Sequence, residues 1–130
     1  MMASEVLLIS NHPDHGRILS EMLRSMSISV EQVSSLEDAQ EKVQGTAYTV
    51  VLTEANLPDG TWVDVLDLVC ELKCKLIVTH PDADARLWVE ALNRGAYDLI
   101  AQPFAAPEVQ RILGNACSRP SMATKRIRAG

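Results

Sequence analysis

Short apolar runs alternate with segments of helical periodicity along most of this 130-residue chain. The predicted strands are residues 6–9, 29–34, 48–53, 76–79 and 98–102. The predicted helices are residues 13–26, 36–43, 61–73, 82–94 and 107–117. Such alternation favours βαβ units, in which consecutive strands run parallel and the helices pack on the sheet. We therefore predict an α/β fold, with a doubly wound, five-stranded parallel sheet and helices on both faces.

The composition is typical of a globular domain, with 47% hydrophobic and 22% charged residues. No apolar run reaches the ~18 residues of a membrane span, so we expect no membrane contact. The formal net charge of −5 argues against nucleic-acid binding by this domain alone. Cys70, Cys74 and Cys117 occur without a secretory signal, which indicates reduced thiols and a cytoplasmic location.

The sequence becomes basic after residue 117. The basic residues of this final segment are Arg119, Lys125, Arg126 and Arg128, and it has no acidic residue. We predict a domain over residues 1–117 and a flexible basic tail or the start of a linker over residues 118–130. A contact of this segment with nucleic acid or an anionic surface is the alternative.

Polar residues follow most of the predicted strands. They are Ser10, Asn11, His12, Glu54, Thr79, His80 and Gln102. Ligands of doubly wound sheets bind outside the carboxyl ends of the strands, so we expect these side chains to line one crevice. His12, His15 and His80 with Glu54 are alternative zinc ligands, although His12 and His15 flank a helix start and are not expected to converge. Protonation of His80 near Glu54 is a further alternative.

Five segments occur in an order and spacing that resemble one known family. They are Val6-Leu7-Leu8-Ile9, Asn56-Leu57-Pro58-Asp59-Gly60, Leu76-Ile77-Val78-Thr79, Gly95-Ala96-Tyr97-Asp98 and Gln102-Pro103-Phe104. Together they resemble the CheY-like receiver domain of bacterial two-component response regulators over about residues 5–117. The resemblance implies a flavodoxin-like (βα)5 fold and a role in phosphorelay signal transduction.

The resemblance also implies a set of site positions, most of which carry other residue types here. The family's acidic pair falls on Ser10 and Asn11, its phosphoacceptor aspartate on Glu54, its lysine on Gln102, its switch hydroxyl on Thr79 and its switch aromatic residue on Leu99. Only Thr79 matches the pattern. A competent site carries about three negative charges and one positive, which suits Mg²⁺, whereas this one retains a single carboxylate. We therefore predict a degenerate pseudo-receiver with weak or absent Mg²⁺ binding, no other metal, no cofactor and no catalytic residue.

The expected function is signal transduction through protein contacts without aspartyl phosphorylation, so the chain is not expected to be an enzyme. The expected partners are a histidine kinase or an output domain, and a homodimer through the face of the fourth helix, fifth strand and fifth helix. The interface candidates are Trp62, Arg86, Trp88 and Arg94. One alternative is the receiver part of a longer transcriptional regulator whose output domain is missing.

Two further alternatives concern the acceptor site. The first is an unusual receiver that is still phosphorylated, with Asp59 or Asp14 as the acceptor. In the second, Glu54 imitates a phosphorylated aspartate by bonding to Thr79. That imitation is incomplete, because a phosphate brings nearly two charges and three acceptor oxygens.

Overall fold

The computed structural model describes residues 4–81 and 84–118. The elements are β1 (Ser4–Ile9), α1 (His15–Leu23), a 3₁₀ turn (Arg24–Met26), β2 (Ile28–Val33), α2 (Leu36–Gly45), β3 (Val50–Glu54), β4 (Asn56–Leu57), β5 (Gly60–Thr61), α3 (Trp62–Val69), β6 (Lys75–His80), α4 (Ala85–Arg94), β7 (Asp98–Ala101) and α5 (Ala106–Ser118). Of the predicted tail over residues 118–130, Ser118 is the last residue of α5, and residues 119–130 lie outside the described residues. None of the helices in the described ranges has the length and hydropathy needed to cross a membrane.

The main sheet has five parallel strands in the order β2-β1-β3-β6-β7. The chain moves from β1 to β2 on one side and then crosses to β3 on the other, so strand order reverses between β1 and β3. The register pairs Ile9 with Thr53, and Glu54 with Thr79. The predicted fold class is confirmed, and the polar residues that follow these strands lie at one edge of the sheet.

The core consists of two layers, one on each face of this sheet. Because successive side chains of a strand point to opposite faces, Leu7, Ile9 and Val51 pack toward α2, α3 and α4. Leu8 and Leu52 pack toward α1 and α5 on the other face. All five side chains are at most 1% exposed. Burial on both faces explains why the central strands β1, β3 and β6 contain apolar runs in the sequence.

Helix ends differ from prediction where local turns replace the periodic pattern. The first helix begins at His15 rather than at Pro13, because residue 14 is its N-cap. The third helix ends at Val69 rather than at residue 73, and the amide of Leu72 donates to the carbonyl oxygen of Val69 in a tighter turn. Gly95 ends α4 at φ 112°, a left-handed conformation that glycine adopts without strain.

The turn after β3 carries a short antiparallel hairpin that the sequence analysis did not predict. In it Asn56 pairs with Thr61 and Leu57 with Gly60. Thr61 then caps α3 in a reciprocal arrangement with Asp64, which fixes the direction in which α3 leaves the crevice.

Candidate functional site

The crevice at the carboxyl end of the sheet contains four of the predicted site residues. Ser10 follows β1, and its amide donates to the carbonyl oxygen of Val33 at 2.9 Å. Glu54 ends β3, Thr79 lies in β6 and Gln102 follows β7. Ser10 and Thr79 are fully buried and Glu54 is 8% exposed. The fold therefore brings Ser10, Glu54, Thr79 and Gln102 together, as the strand order predicts.

One carboxylate oxygen, Oε2 of Glu54, is the centre of the hydrogen-bond network. It accepts from the Ser10 hydroxyl at 2.9 Å and from the Gln102 amide at 3.4 Å. The Nδ1 atom of His15 lies 3.0 Å from the same oxygen. Because an ionised carboxylate can only accept hydrogen bonds, His15 Nδ1 must carry the proton in this contact. The hydroxyl of Ser10, the amide of Gln102 and the ring of His15 thus surround this carboxylate oxygen.

His15 is the crevice residue whose role the sequence analysis did not predict, since it named His15 only as an alternative zinc ligand and the structure places Nδ1 against Glu54. Its ring stacks on His12 with centroids 4.5 Å apart and meets the edge of Phe104 at 4.9 Å. Burial lowers the pKa of His15 below its ordinary value, the charge of Glu54 opposes that effect, and His12 adds to it. The rings of His12 and His15 thus lie closer together than the sequence analysis expected, but only His15 contacts Glu54, and His12 is exposed.

Gln32 of β2 fixes the loop that carries His15. Its side-chain amide donates to the carbonyl oxygens of Ser10 at 2.9 Å and His12 at 2.8 Å. Its Oε1 atom accepts from the amide of Gly16 at 2.9 Å. A Cβ atom on Gly16 would lie 2.4 Å from that oxygen, so a larger residue here would displace the Gln32 side chain from this contact. Gln32 and Gly16 therefore position His15 from outside the crevice.

The side chain of Thr79 is connected to that of Glu54 through the Gln102 amide. The Thr79 hydroxyl donates to the carbonyl oxygen of Ile100 at 2.8 Å and accepts from the Gln102 amide at 3.2 Å. Its proton is therefore directed at β7 and away from Glu54. A direct bond from Glu54 to Thr79, as in a phosphoaspartate mimic, is not the arrangement of this structure.

The remaining predicted positions lie outside this network. Asn11 is exposed, and Leu99 is buried at 8% exposure in the core layer next to α4. Asp59 accepts from the amides of Leu36 at 2.8 Å and Glu37 at 3.0 Å, which holds its pKa below the usual range. Asp59 thus caps the start of α2 and is already engaged there.

The residues present do not fit Mg²⁺. The ion needs several oxygen ligands and compensating negative charge, but Glu54 is the only carboxylate of the network and its Oε2 already faces three donors. Nowhere in residues 4–81 and 84–118 are three His, Cys, Asp or Glu side chains grouped to hold a metal ion.

Ser10, His15 and Glu54 contact one another but do not form a nucleophile–base–orienter triad. In such a triad the histidine contacts the nucleophile through one ring nitrogen and the carboxylate through the other. Here Nδ1 of His15 faces both Ser10 Oγ, at 3.1 Å, and Glu54. Ser10 is also fully buried, so its hydroxyl is not presented to a substrate.

The interface candidates separate into one buried residue and three exposed ones. Trp62 is 5% exposed and packs in the core, so its prediction as an interface residue is wrong. Trp88 is 46% exposed on α4, and Arg86 and Arg94 are exposed on the same helix. An open cavity of about 440 Å³ lies beside Trp88, with Leu99 of β7 and Arg111 of α5 in its lining.

Comparison with known proteins decides the family. The sequence model described as "Response regulator receiver domain" matches residues 6–113. The chain belongs to this family. The receiver fold was therefore identified correctly from the sequence, and the domain is a receiver domain of two-component response regulators.

Curated relatives are distant and longer than this receiver. It is 21% identical to the response regulator protein PilR of Pseudomonas aeruginosa over 120 residues, which are 89% of this chain and 26% of PilR. It is 28% identical to the swarming motility regulation protein RssB of Serratia marcescens over 110 residues, 80% of this chain and 48% of RssB. The chain thus spans about a quarter to a half of the length of these relatives.

Solved structures show the same fold at low sequence identity. The beryllofluoride-activated NtrC4 receiver domain dimer has a TM-score of 0.80 at 21% identity, covering 88% of this chain and 96% of that one. The chemotaxis response regulator CheY4 of Vibrio cholerae has a TM-score of 0.78 at 17% identity, covering 88% of this chain and 99% of that one.

Proposed function

We propose that this receiver domain signals through protein contacts without Mg²⁺-dependent phosphorylation of an aspartate. The observation that carries the proposal is the network around Glu54, in which Ser10, His15 and Gln102 all face one carboxylate oxygen. These side chains satisfy the carboxylate without a metal or a lysine. The domain is then an atypical response regulator and not an enzyme, and its three free cysteines suit a cytoplasmic location.

Electrostatics oppose phosphoryl transfer to Glu54. A metal ion would have to exchange its bound water for one carboxylate and neutral oxygens, which is unfavourable for Mg²⁺. A phosphoryl group on Glu54 would bring nearly two negative charges, but Gln102 provides no cation to compensate them. Glutamate also extends the acceptor by about 1.5 Å relative to aspartate, which changes the geometry of attack.

The charged residues expected at this site are replaced together rather than one at a time. Removing only one member of a buried ionic cluster leaves its partners unpaired, at a cost of roughly 3–5 kcal/mol. Here the acidic pair and the lysine are replaced together, by Ser10, Asn11 and Gln102. The replacement keeps Ser10, Glu54, Thr79 and Gln102 hydrogen-bonded to one another, which supports a domain retained for its contacts.

The proposed contact surface is the face of α4, β7 and α5. Trp88 and Val89 are 46% and 49% exposed there, and Arg86 and Arg94 are exposed on the same helix. Exposed tryptophan and arginine side chains are common anchors of protein interfaces. A histidine kinase, an output domain or a second copy of this chain would bind here, and the related NtrC4 receiver structure is a dimer.

The test is an amide-resolved NMR titration of the whole chain with Mg²⁺ and then beryllofluoride, an acyl-phosphate mimic. We expect no shifts at Ser10, Glu54, Thr79 and Gln102 at millimolar Mg²⁺. The matched control is the fourfold variant Ser10→Asp, Asn11→Asp, Glu54→Asp, Gln102→Lys, which restores the family's charges and should bind both. Saturable shifts centred on Glu54 in the original chain would instead show a working acceptor site and refute the proposal.

A second candidate is that this receiver is part of a longer transcriptional regulator. The observation in its favour is that the matching regions make up only 26% of PilR and 23% of the C4-dicarboxylate transport transcriptional regulatory protein DctD of Rhizobium meliloti. Sequencing the gene beyond the codon for Gly130 tests it. A reading frame that continues into a second domain supports this candidate, and an immediate stop codon rejects it.

A further inference from the structure

The ring of His15 enters the crevice from the start of α1 and occupies the space directly in front of the acceptor carboxylate. Its Nδ1 atom lies 3.0 Å from Glu54 Oε2 and 3.1 Å from Ser10 Oγ. The side chain of His15 is 15% exposed and that of Glu54 is 11% exposed. His15 is therefore the one group of this network that can change charge near neutral pH while contacting the carboxylate.

We propose that His15 makes this crevice a proton-binding site whose occupancy changes the hydrogen bonds of Gln102 and Thr79. The inference rests on the proposed function, because a crevice that accepts phosphate would not depend on a proton for its input. Nδ1 already carries the hydrogen that faces Glu54, so the added proton binds at Nε2. Uptake changes the summed charge of His15 and Glu54 from −1 to zero without breaking their contact.

The groups facing His15 set the pH at which it binds this proton. Glu54 of β3 and Asp14 at the start of α1 favour the charged ring. His12 opposes it because the two rings are stacked, and burial opposes it further. Phe104 contacts the ring with its edge and contributes no charge. Burial is the largest of these effects, so the pKa of His15 lies below its ordinary value of 6.5 and the site fills only in acid.

Gln102 is the route from the proton to the rest of the domain. Its amide contacts both Glu54 Oε2 at 3.4 Å and Thr79 Oγ1 at 3.2 Å, and the first is the longer of the two contacts. When His15 becomes charged, Glu54 interacts more strongly with His15 and Ser10, and the long contact to Gln102 is the one that weakens. Gln102 then binds Thr79 alone, and Thr79 bonds to Ile100 of β7 at the edge of the proposed contact face.

The experiment is an NMR titration of the full chain between pH 8 and pH 5. The signals are the ring protons of His15, the side-chain amide of Gln102 and the methyl group of Thr79. We expect the three to shift with one shared midpoint below pH 6.5. A Gln102 and Thr79 response that is flat, or that follows His12 or His80 instead, overturns the proposal.

Two variants test the direction of each effect. Replacing the carboxylate in Glu54→Gln should lower the His15 midpoint by about one pH unit, because an opposite charge within contact distance is lost. In His12→Gln the midpoint should rise, because a like charge and a covering ring are lost. Either midpoint moving the other way contradicts the geometry.

In His15→Gln the coupled shifts of Gln102 and Thr79 should disappear, and persistence of these shifts refutes the role of His15. If that variant does not fold, the two opposite midpoint shifts still test the proposal. Beryllofluoride binding by the original chain would refute the proposed function, whereas failure of the coupled titration alone would refute only this inference.

Discussion

The sheet core and the crevice at its edge differ in how strongly they constrain residue identity. In the core, strands β1, β3 and β6 bring apolar side chains against helices on two faces with almost no exposure. In the crevice, the same strands end in polar groups that are just as buried, including Ser10, Glu54 and Thr79. The core is thus defined by apolar packing, and the crevice by a hydrogen-bond network around one carboxylate oxygen.

This difference shows which requirement each region meets. A core side chain must fill a given volume, because cavities and overpacking both destabilise the fold. A buried polar side chain must instead satisfy its hydrogen bonds, and several combinations of residues do so equally well. Chemistry can therefore be lost from the crevice at little cost to folding, provided that the replacements form a complete network.

The largest effect is expected in the core. The Trp62→Ala substitution removes a ring that is 5% exposed and packs against the sheet, and it should lower the free energy of unfolding by about 3–5 kcal/mol. Urea denaturation measures it. Trp62→Phe is the control, since it retains an aromatic ring and should lose less. A loss below 1 kcal/mol for Trp62→Ala would show that this side of the core tolerates a cavity of that size.

A smaller loss is expected when one polar group of the crevice is removed. In Ser10→Ala, Glu54 loses a donor and the amide of His12 loses its acceptor at 3.1 Å, so we expect about 1–3 kcal/mol. The matched control is Ser29→Ala on an exposed position of β2, which should stay within about 0.5 kcal/mol. Equal effects at the two positions would mean that the network around Glu54 does not need Ser10.

The core and the crevice also differ in how much could be predicted from the sequence. The central strands β1, β3 and β6 were predictable because burial on both faces leaves an apolar run, as in Val6 to Ile9, whereas the edge strand β2 is only partly buried. The positions of Ser10, Glu54, Thr79 and Gln102 followed from strand order, since parallel strands end at the same edge. Both inferences depend on patterns that repeat along the chain, and the structure confirms where they place the residues.

The contacts of His15 could not be predicted in this way. They depend on Gln32, 17 positions further along the sequence, which holds the loop after β1, and on Gly16, which leaves room for the Gln32 side chain. No periodicity links these residues. The burial of Trp62 was missed for a similar reason, because the packing of α3 depends on the hairpin and cap that precede it. For His15 the available signals were its grouping with His12 and Glu54 as possible ligands and the glycine that follows it in the sequence.

The pH dependence of stability should separate the two regions. Burial and the hydrogen bond to Glu31 raise the pKa of Tyr48 to about 12, so the folded chain keeps this phenol neutral after the unfolded chain has lost its proton. Stability therefore falls as pH rises from about 10 toward 12. Tyr48→Phe should remove this alkaline loss, at a cost of about 1 kcal/mol near pH 8 from the lost hydrogen bond.

In the crevice, the free energy of unfolding should depend on pH in the opposite direction and should decrease in acid. The pKa of His15 is lowered by burial, so the unfolded chain binds a proton near pH 6.5 before the folded chain does, and stability falls as pH decreases below that value. His15→Gln should reduce the loss of stability in acid and leave the loss at alkaline pH unchanged. Denaturation curves between pH 5 and pH 11 measure the acid and the alkaline loss of stability. If His15→Gln removed the alkaline loss, or Tyr48→Phe the acid loss, the assignment of these losses to His15 and Tyr48 would be contradicted.

The smallest effect on stability is expected for the exposed tryptophan. Trp88→Ala removes the same side chain as Trp62→Ala, but Trp88 is 46% exposed on α4, so the free energy of unfolding should change by no more than about 0.5 kcal/mol. Its effect belongs to association: if the α4–β7–α5 face binds a second copy, sedimentation should show weaker self-association in Trp88→Ala than in the original chain. Arg17→Ala on exposed α1 is the control and should leave association unchanged. A large loss of stability at Trp88 would instead mean that this ring supports the fold, and the contrast between core and surface tryptophans would then fail.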